Sequence, residues 1–456
     1  MVSVASYLPY WCLSASTIAD ALGTKSTTTS RLVASHDEDT TSMAVEAARR
    51  LSPSTNPPET LWLATTMPAY ADRTNAVGMH AALRLPDHVF SADVVGAIRS
   101  GLGAMRAALS TTGLAVLSDV RTGLPGSADE ARGGDAAVAI QFGRGRDVIA
   151  EWLYHESLTV DFLDRWRVPG ARNSKTWEER FTVQEYLPIT KEVVSRVLQR
   201  ASLDKPDHVA VLSPDPRTTR EMRNWFDHEC LSEDLTDKIG FTGTAHLGLA
   251  LGQILQIAKP GQTILLVQAS DGADAILLRT TDQIGNPEAT KGPWAGRNQI
   301  NELDYISFLT WRGLLQREPP RRPEPVGPAA PPAVRNREWK MGLVGSQCQA
   351  CGRTHAPPQR VCTECHIVDN MLPHPLADKI ATVATYTVDH LAHSLSPPVI
   401  AAMIDFEGGG RIETEITDAD PEAISVGDNV EMTFRRRFTA DGVHNYFWKA
   451  RPVRES

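Results

Sequence analysis

The run CQACGRTHAPPQRVCTEC, Cys348 to Cys365, is the stretch from which the rest of the chain can be read. It holds two C-x-x-C pairs separated by ten residues. Each pair makes a tight knuckle that turns two thiolates toward one tetrahedral ion, and the second pair closes the coordination sphere. The spacing predicts structural zinc on Cys348, Cys351, Cys362 and Cys365. Four thiolates leave no open position for water, so this metal is not expected to catalyse. His355 and His366 flank the cluster. Either could replace a cysteine, but with the cysteine set intact they read as core or solvated histidines. Cys12 and Cys230 are isolated in sequence and read as free thiols of a reducing compartment.

Downstream of the knuckle come short β-branched or alternating runs: 380–388, 399–405, 411–416, 429–434 and 446–450. Turn chemistry separates several of them, as at Glu407-Gly408-Gly409-Gly410, Gly427-Asp428 and Asp441-Gly442. Five short strands predict a small OB-like barrel. A zinc ribbon with such a barrel first raises nucleic-acid binding. Charge opposes it: residues 339–456 carry 11 Lys/Arg against 15 Asp/Glu, where a basic footprint is required. The one basic run, Arg435-Arg436-Arg437, reads as a solvated strand end, with the phosphates of a CoA nucleotide as the alternative.

Upstream, residues 316–338 are dense in proline. Proline at this density favours extended polyproline II geometry, so a semi-rigid tether is expected. Before it, strand-like apolar runs (60–65, 113–118, 136–141, 208–212, 263–268) alternate with helical patterns (42–51, 94–109, 189–201, 244–257). That alternation is α/β. The acidic run Asp37–Asp39 precedes one predicted helix and suits the positive end of its dipole. A duplicated layered fold and a doubly wound sheet both fit this pattern. The expected division is 1–315, a linker at 316–338, a zinc ribbon at 339–372 and a barrel at 373–456.

The bulk numbers agree with a multidomain globular protein. The chain has 456 residues, 42% hydrophobic and 22% charged, too long for one ordinary core. No apolar run reaches membrane-spanning length, and MVSVASYLPYWCLS has no basic n-region. A cytoplasmic protein with no membrane partner is expected. A net charge of −9 argues against a general nucleic-acid binder.

Residues 343–453 resemble a zinc-ribbon/OB-fold family of acyl-CoA-associated proteins. The likeness rests on LVGSQCQACGRTHAPPQRVCTEC, ATVATYTVDH, SPPVIAAMIDFEGGGRIETEITDADPEAISVGDNVEMTFRRR and YFWKARPV. It implies a rubredoxin-like ribbon and an accessory role: binding thiolase-like enzymes and handing on acyl-CoA. The N-terminal region resembles the 3-hydroxy-3-methylglutaryl-CoA synthases of the thiolase superfamily. The matching stretches are VASYLPYWCLSASTIADALG, DEDTTSMAVEAARRL, ALRLPDHVFSADVVGAIRSGLGAM, ERFTVQEYLPITKEVV, HVAVLSPDP, IGFTGTAHLGLALGQIL and PGQTILLVQASDGADAILL. They imply a duplicated thiolase-like layered fold.

Those enzymes carry the acyl group on a cysteine, with a His and an Asn handling charge and protons. Only a thiolate is nucleophilic enough near neutral pH. Position by position, the resemblance puts that Cys on Ile98, the His on Ser213 and the Asn on Phe241, with the catalytic Glu falling loosely on Thr65. The triad is thus expected to be degenerate. Tyr70, Asp72, Arg99, Asp119, Tyr186, Ser213, Asp215, His246 and Asp271 lie near stretches that line the relatives' pocket. Among them Asp119, Tyr186 and His246 are the catalytic candidates. Each has a plainer reading: a turn-capping carboxylate, a core tyrosine and a packed or capping histidine. Ser213 lacks an adjacent base.

Two functions follow. One is a degenerate scaffold that handles acyl-CoA and docks an active thiolase- or aldolase-family partner, within lipid metabolism and as a homodimer. The other is an acyltransferase or lyase that makes or breaks acyl-CoA carbon–carbon bonds without a catalytic cysteine. The first is the expectation adopted. The CoA thioester is substrate or ligand in both.

Overall fold

The computed structural model describes residues 1–25, 28–51, 57–177, 179–294, 301–318, 321 and 326–453. The N-terminal region is built on two mixed sheets. In the first, the order is 290–291, Ser3–Tyr7, Ala136–Gln141, Leu114–Asp119, Thr60–Thr65 and Phe90–Val95. In the second it is His208–Leu212, Thr263–Ala269, Ala273–Thr280 and Ala150–Leu158.

Side chains alternate across a strand, and that parity sorts the core into layers. Ala115 and Leu117 of the first sheet join Ile264 and Leu266 of the second around the helices Ser100–Ser110 and His246–Ile257. Leu114 and Val116 point the other way, onto the helix Thr40–Arg49. Leu265 and Val267 likewise face the long helix Glu179–Ala201. Helix, sheet, helix, sheet, helix is therefore the layer order. The duplicated layered arrangement is the one adopted, not the doubly wound sheet.

Three predicted elements differ. The pattern at 94–109 breaks into a strand, Phe90–Val95, and a helix, Ser100–Ser110. Val94 and Val95 continue the parallel ladder beside Ala64 and Thr65, and Gly96, at φ +123°, cannot propagate a helix. The helix expected at 189–201 starts ten residues earlier at Glu179 and carries Pro188 inside it. Two short helices, Ala330–Arg335 and Arg337–Gly342, replace polyproline geometry in part of the expected tether. Pro331 and Pro332 sit in a first turn, where a missing N–H is tolerated. Positions 319–320 and 322–325 of that stretch lie outside the described residues.

Strand Val344–Cys348 pairs with Thr354–His355 and Met371–Pro375 to form the ribbon. Five strands then close a barrel in the order Ala381–Asp389, Val399–Phe406, Arg411–Ile416, Val443–Pro452, Asn429–Ala440. In Val399–Phe406 alternate residues Ile400, Ala402, Ile404 and Phe406 are buried, as a filled barrel requires. The last hairpin turns at Asp441-Gly442, both at positive φ, the backbone that a two-residue turn between twisted strands prefers.

The barrel is not held at a distance. It packs on the outer helix Thr40–Arg49, and both share one apolar cluster that includes Met43, Ala47, Phe434 and Trp448. Around this core runs a buried charge network. Arg435, fully buried, donates to Asp37 at 3.1 Å and to Asp418 at 2.6 Å, and pairs with Glu38 at 3.0 Å. Lys449 reaches Asp37 at 2.9 Å and Glu415 at 2.7 Å. Arg451 pairs with Glu46 at 2.8 Å, and the Phe434 N–H donates to the same carboxylate at 3.1 Å. Asp39 does two things: Oδ1 caps the helix at the Ser42 N–H, and Oδ2 accepts from Tyr446 at 2.6 Å.

Of the Arg435–Arg437 run only Arg437 is therefore solvated, and Arg435 is spent within the protein rather than on a phosphate. Arg435 is consumed by the interface, Arg436 donates to the carbonyl of His36, and Arg437 pairs with Glu415. Strand parity turned Arg435 into the contact, and the acidic run at 37–39 is its complement. Burial raises the Asp37 carboxyl, but Lys449 and Arg435 outweigh it and hold the group well below its ordinary range. Burial likewise opposes ionised Glu46, and Arg451 with Arg49 brings it down to about 2. Among the described residues, no helix is long and apolar enough to cross a membrane.

Candidate functional site

Strand Leu114–Asp119 ends at a fully buried carboxylate. Asp119 accepts from the Thr65 hydroxyl at 3.0 Å, the Thr66 N–H at 2.6 Å, the Thr66 hydroxyl at 3.0 Å and the Thr244 N–H at 2.8 Å. Four donors leave it little capacity for substrate. It ties the end of strand Thr60–Thr65 to the turn before helix His246–Ile257. Gly243 in that turn has φ +57°, and a Cβ there would lie 2.0 Å from Asp119 Oδ2, so only glycine fits. The pinned turn fixes Phe241, whose N–H donates to the Arg132 carbonyl at 2.6 Å.

Phe241 and Ser213 meet at the wall of a cavity of about 820 Å³. Five arginines and five aspartates also line it. Some are spent: Arg165 holds Asp129 through two bonds of 2.8 and 2.7 Å, and Asp215 Oδ2 caps helix Pro216–Arg223 at the Thr218 N–H. Arg121 donates to Thr66 and lies 6.0 Å above the Phe241 ring. Arg132 and Arg220 are exposed on the wall, with no ion-pair partner among the described residues. These arginines escaped the sequence reading because nothing in their local spacing marks them. They come from separate elements: Arg132 ends the helix Ala128–Arg132, Arg165 lies on the strand Arg165–Trp166, and Arg220 and Arg223 lie on helix Pro216–Arg223.

The structure places the other predicted residues as follows. Ile98 is buried, 5% exposed, in the apolar cluster between the sheets and not on the cavity wall. Phe241 packs on that cluster. Ser213 accepts from the Asp215 N–H, and its own N–H donates to Thr219. His246 takes the Thr242 N–H at 3.3 Å on Nδ1, and its ring lies 5.2 Å from that of Phe241, tilted by 33°. Burial, opposed by Asp234, brings its pKa down to about 4, so the ring stays neutral through the physiological range. It lines a small recess beside the main cavity.

Tyr186 is fully buried in the core outside the second sheet. Its hydroxyl accepts from the Asp271 N–H at 3.1 Å and bonds Asp164, and burial with Asp164 raises its pKa. Arg99 is spent on Asp274, Ser157 and Thr159. Tyr70 belongs to the barrel contact: its hydroxyl accepts from the His444 N–H at 2.7 Å. Asp72 is exposed.

No cysteine lines the cavity among the described residues. Cys12 sits in strand Trp11–Ser14 with its thiol 3.3 Å from Glu302. Cys230 donates to the Asp227 carbonyl at 3.0 Å, and burial pushes its thiol up, away from the reactive thiolate.

At the ribbon the metal ligands converge. The sulfurs of Cys348 and Cys365 are 3.6 Å apart, those of Cys351 and Cys362 are 3.5 Å apart, and all four lie within 4.8 Å of one another. Tetrahedral zinc with bonds of about 2.3 Å puts sulfurs about 3.8 Å apart, so the four thiols fit that ion. The Glu364 N–H also points at Cys362 Sγ, at 3.4 Å. Neither His355, buried beneath the knuckle, nor His366, at φ +60°, belongs to the group.

Comparison with known proteins places these parts. The families described as ChsH2, rubredoxin-like zinc ribbon domain, and ChsH2, C-terminal OB-fold domain, match residues 342–369 and 374–435. A DUF35 domain-containing scaffold protein of Methanothermobacter thermautotrophicus is 31% identical over 126 residues, 25% of this chain and 94% of its own length. A hydroxymethylglutaryl-CoA synthase of Picrophilus torridus is 27% identical over 303 residues, 62% of this chain and 85% of its own. A hydroxymethylglutaryl-CoA synthase solved in complex with CoA aligns with a TM-score of 0.60 at 17% identity, over 68% of this chain and 88% of that one.

Proposed function

We propose that this chain, which belongs through its C-terminal region to the DUF35 domain-containing scaffold proteins and whose N-terminal region is a hydroxymethylglutaryl-CoA synthase-like thiolase fold, is an acyl-CoA-handling scaffold that forms no acyl-enzyme. The observation that carries this reading is Ile98. The residue that the resemblance aligns with the nucleophile is a hydrocarbon buried between the sheets, and among the described residues no thiol lines the neighbouring cavity. The unpaired Arg132 and Arg220 on the wall suit an anionic ligand, and the solved synthase of like fold holds CoA, which supports placing acyl-CoA there. The scaffold relatives support a protein partner, and the resemblance to zinc-ribbon/OB-fold accessory proteins implies that it is of the thiolase or aldolase family. The division at 315, 338 and 372 is part of this proposal.

The lyase reading needs an acid or base on the cavity wall. Tyr186 does not supply it, being committed to Asp164 and the Asp271 N–H inside a core, so that reading would draw on the wall carboxylates Asp164, Asp234 and Asp237.

Intact-mass spectrometry after exposure to acetyl-CoA should show no adduct. Ile98→Cys should not create synthase activity, because Ser213 and Phe241 still lack the proton-handling pair and such groups act as a unit. An acyl adduct mapped within 1–315 would overturn the reading. Thiolase-like domains resemble one another in pairing by a two-fold contact, and Phe90–Val95 leaves a sheet edge for it. Light scattering at micromolar concentration should give a dimer; a monomer refutes that part.

A further inference from the structure

Beside the cavity lies a second, open hollow of about 750 Å³, lined by Phe162, Thr176, Trp177 and Phe181. Thr176 and Trp177 line both spaces, so the two are adjacent. Their chemistry differs sharply. The cavity mixes arginines and aspartates with Phe226, Leu231 and Phe241, whereas three of the hollow's four residues are aromatic and none is charged. Trp177 is 55% exposed and Phe181 46%, although both rings are large and apolar. Trp177 is held in place by edge contacts with Phe162 at 6.5 Å and Trp166 at 5.8 Å. The aromatic wall is thus anchored to the short hairpin of 165–166 and 175–176 and to the start of helix Glu179–Ala201. Solvated aromatic surface of this kind is costly unless something covers it.

We propose that this groove seats the acyl chain of the thioester, and that the ligand class is an acyl-CoA with a large apolar acyl group, not a short one such as acetyl. The proposal rests on the acyl-CoA reading above. An amphipathic ligand matches the pair of spaces: phosphates toward the unpaired Arg132 and Arg220, hydrocarbon along Phe162, Trp177 and Phe181. A short acyl group would end inside the charged cavity and leave the aromatic wall of the hollow wet.

The test is calorimetric titration of the full chain with CoA, acetyl-CoA, decanoyl-CoA and decanoyl-N-acetylcysteamine, a thioester without the nucleotide. Decanoyl-CoA should bind about tenfold or more tighter than acetyl-CoA, the gain from burying two or three methylenes. Phe181→Ser, which alters the groove and not the cavity wall, should shrink that ratio toward one. Should CoA fail to bind while decanoyl-N-acetylcysteamine binds wild type and not Phe181→Ser, the groove stands and the nucleotide reading falls. Equal affinity for short and long thioesters, or no binding of either decanoyl probe, overturns the proposal. So does a wild-type dimer that Phe181→Ser splits, since a second copy would then occupy the groove.

Discussion

Replacing Arg435 with methionine should cost about 3–5 kcal/mol of stability, the range for removing one partner of a buried ion cluster. The guanidinium is fully buried and bonds Asp37, Glu38 and Asp418 at once. Without it Asp37, Glu38 and Asp418 lose the cation they share, while Lys449 stays on Asp37. Methionine fills the volume, so the loss is electrostatic and not a cavity effect. Arg437→Ala, on the same strand but outward and paired with half-exposed Glu415, should cost under about 1 kcal/mol. Denaturant unfolding of both variants separates the cases, and equal midpoints for Arg435→Met and wild type would refute the interface. Acid should loosen the same contact. Asp37 and Glu46 are held below their ordinary values, so their stabilisation is complete above about pH 4.5 and drains away toward pH 2. Glu38, which burial raises, opposes this in part.

Loss of the metal should be the larger blow. Structural zinc in small domains has an apparent binding free energy of about 10–16 kcal/mol, which becomes folding free energy. The ribbon has little apolar core of its own to replace it. Cys351→Ser, or chelation, should therefore unfold residues around 344–375, and elemental analysis of fresh protein should find one zinc per chain. The damage should spread. Thr354 donates to the Gly408 carbonyl of the barrel at 3.3 Å, and Trp448 of the barrel donates at 2.8 Å to the carbonyl of Met341, three residues before strand Val344–Cys348. Protein without zinc, or a wild-type melting curve for Cys351→Ser, would refute the assignment.

What was legible in the sequence was local or periodic. The zinc site follows from the C-x-x-C spacing, because a knuckle is made by neighbours and needs no distant partner. Strands Thr60–Thr65, Ala136–Gln141 and His208–Leu212 were readable as short apolar runs, since both faces of an inner sheet are buried. The barrel strands showed in their alternation, though the last hairpin runs longer than its apolar core suggests. Ile98 could be named as the odd residue at a helix start by resemblance alone.

Tertiary structure alone decided the rest. Arg435 looked like a solvated charge because its partner Asp37 is 398 residues away, and no local pattern reveals which face of a strand will meet another domain. The acidic run at 37–39 suited a helix start, and Asp39 does cap that helix, but its larger use is to receive the barrel. The cavity is assembled from segments near 121–132, 164–177 and 213–241, and the aromatic groove from residues beside a hairpin and on a helix. Sequence fixes chemistry that neighbours complete among themselves; burial, pairing and cavities depend on which distant segments folding brings together, and those only the packed chain specifies.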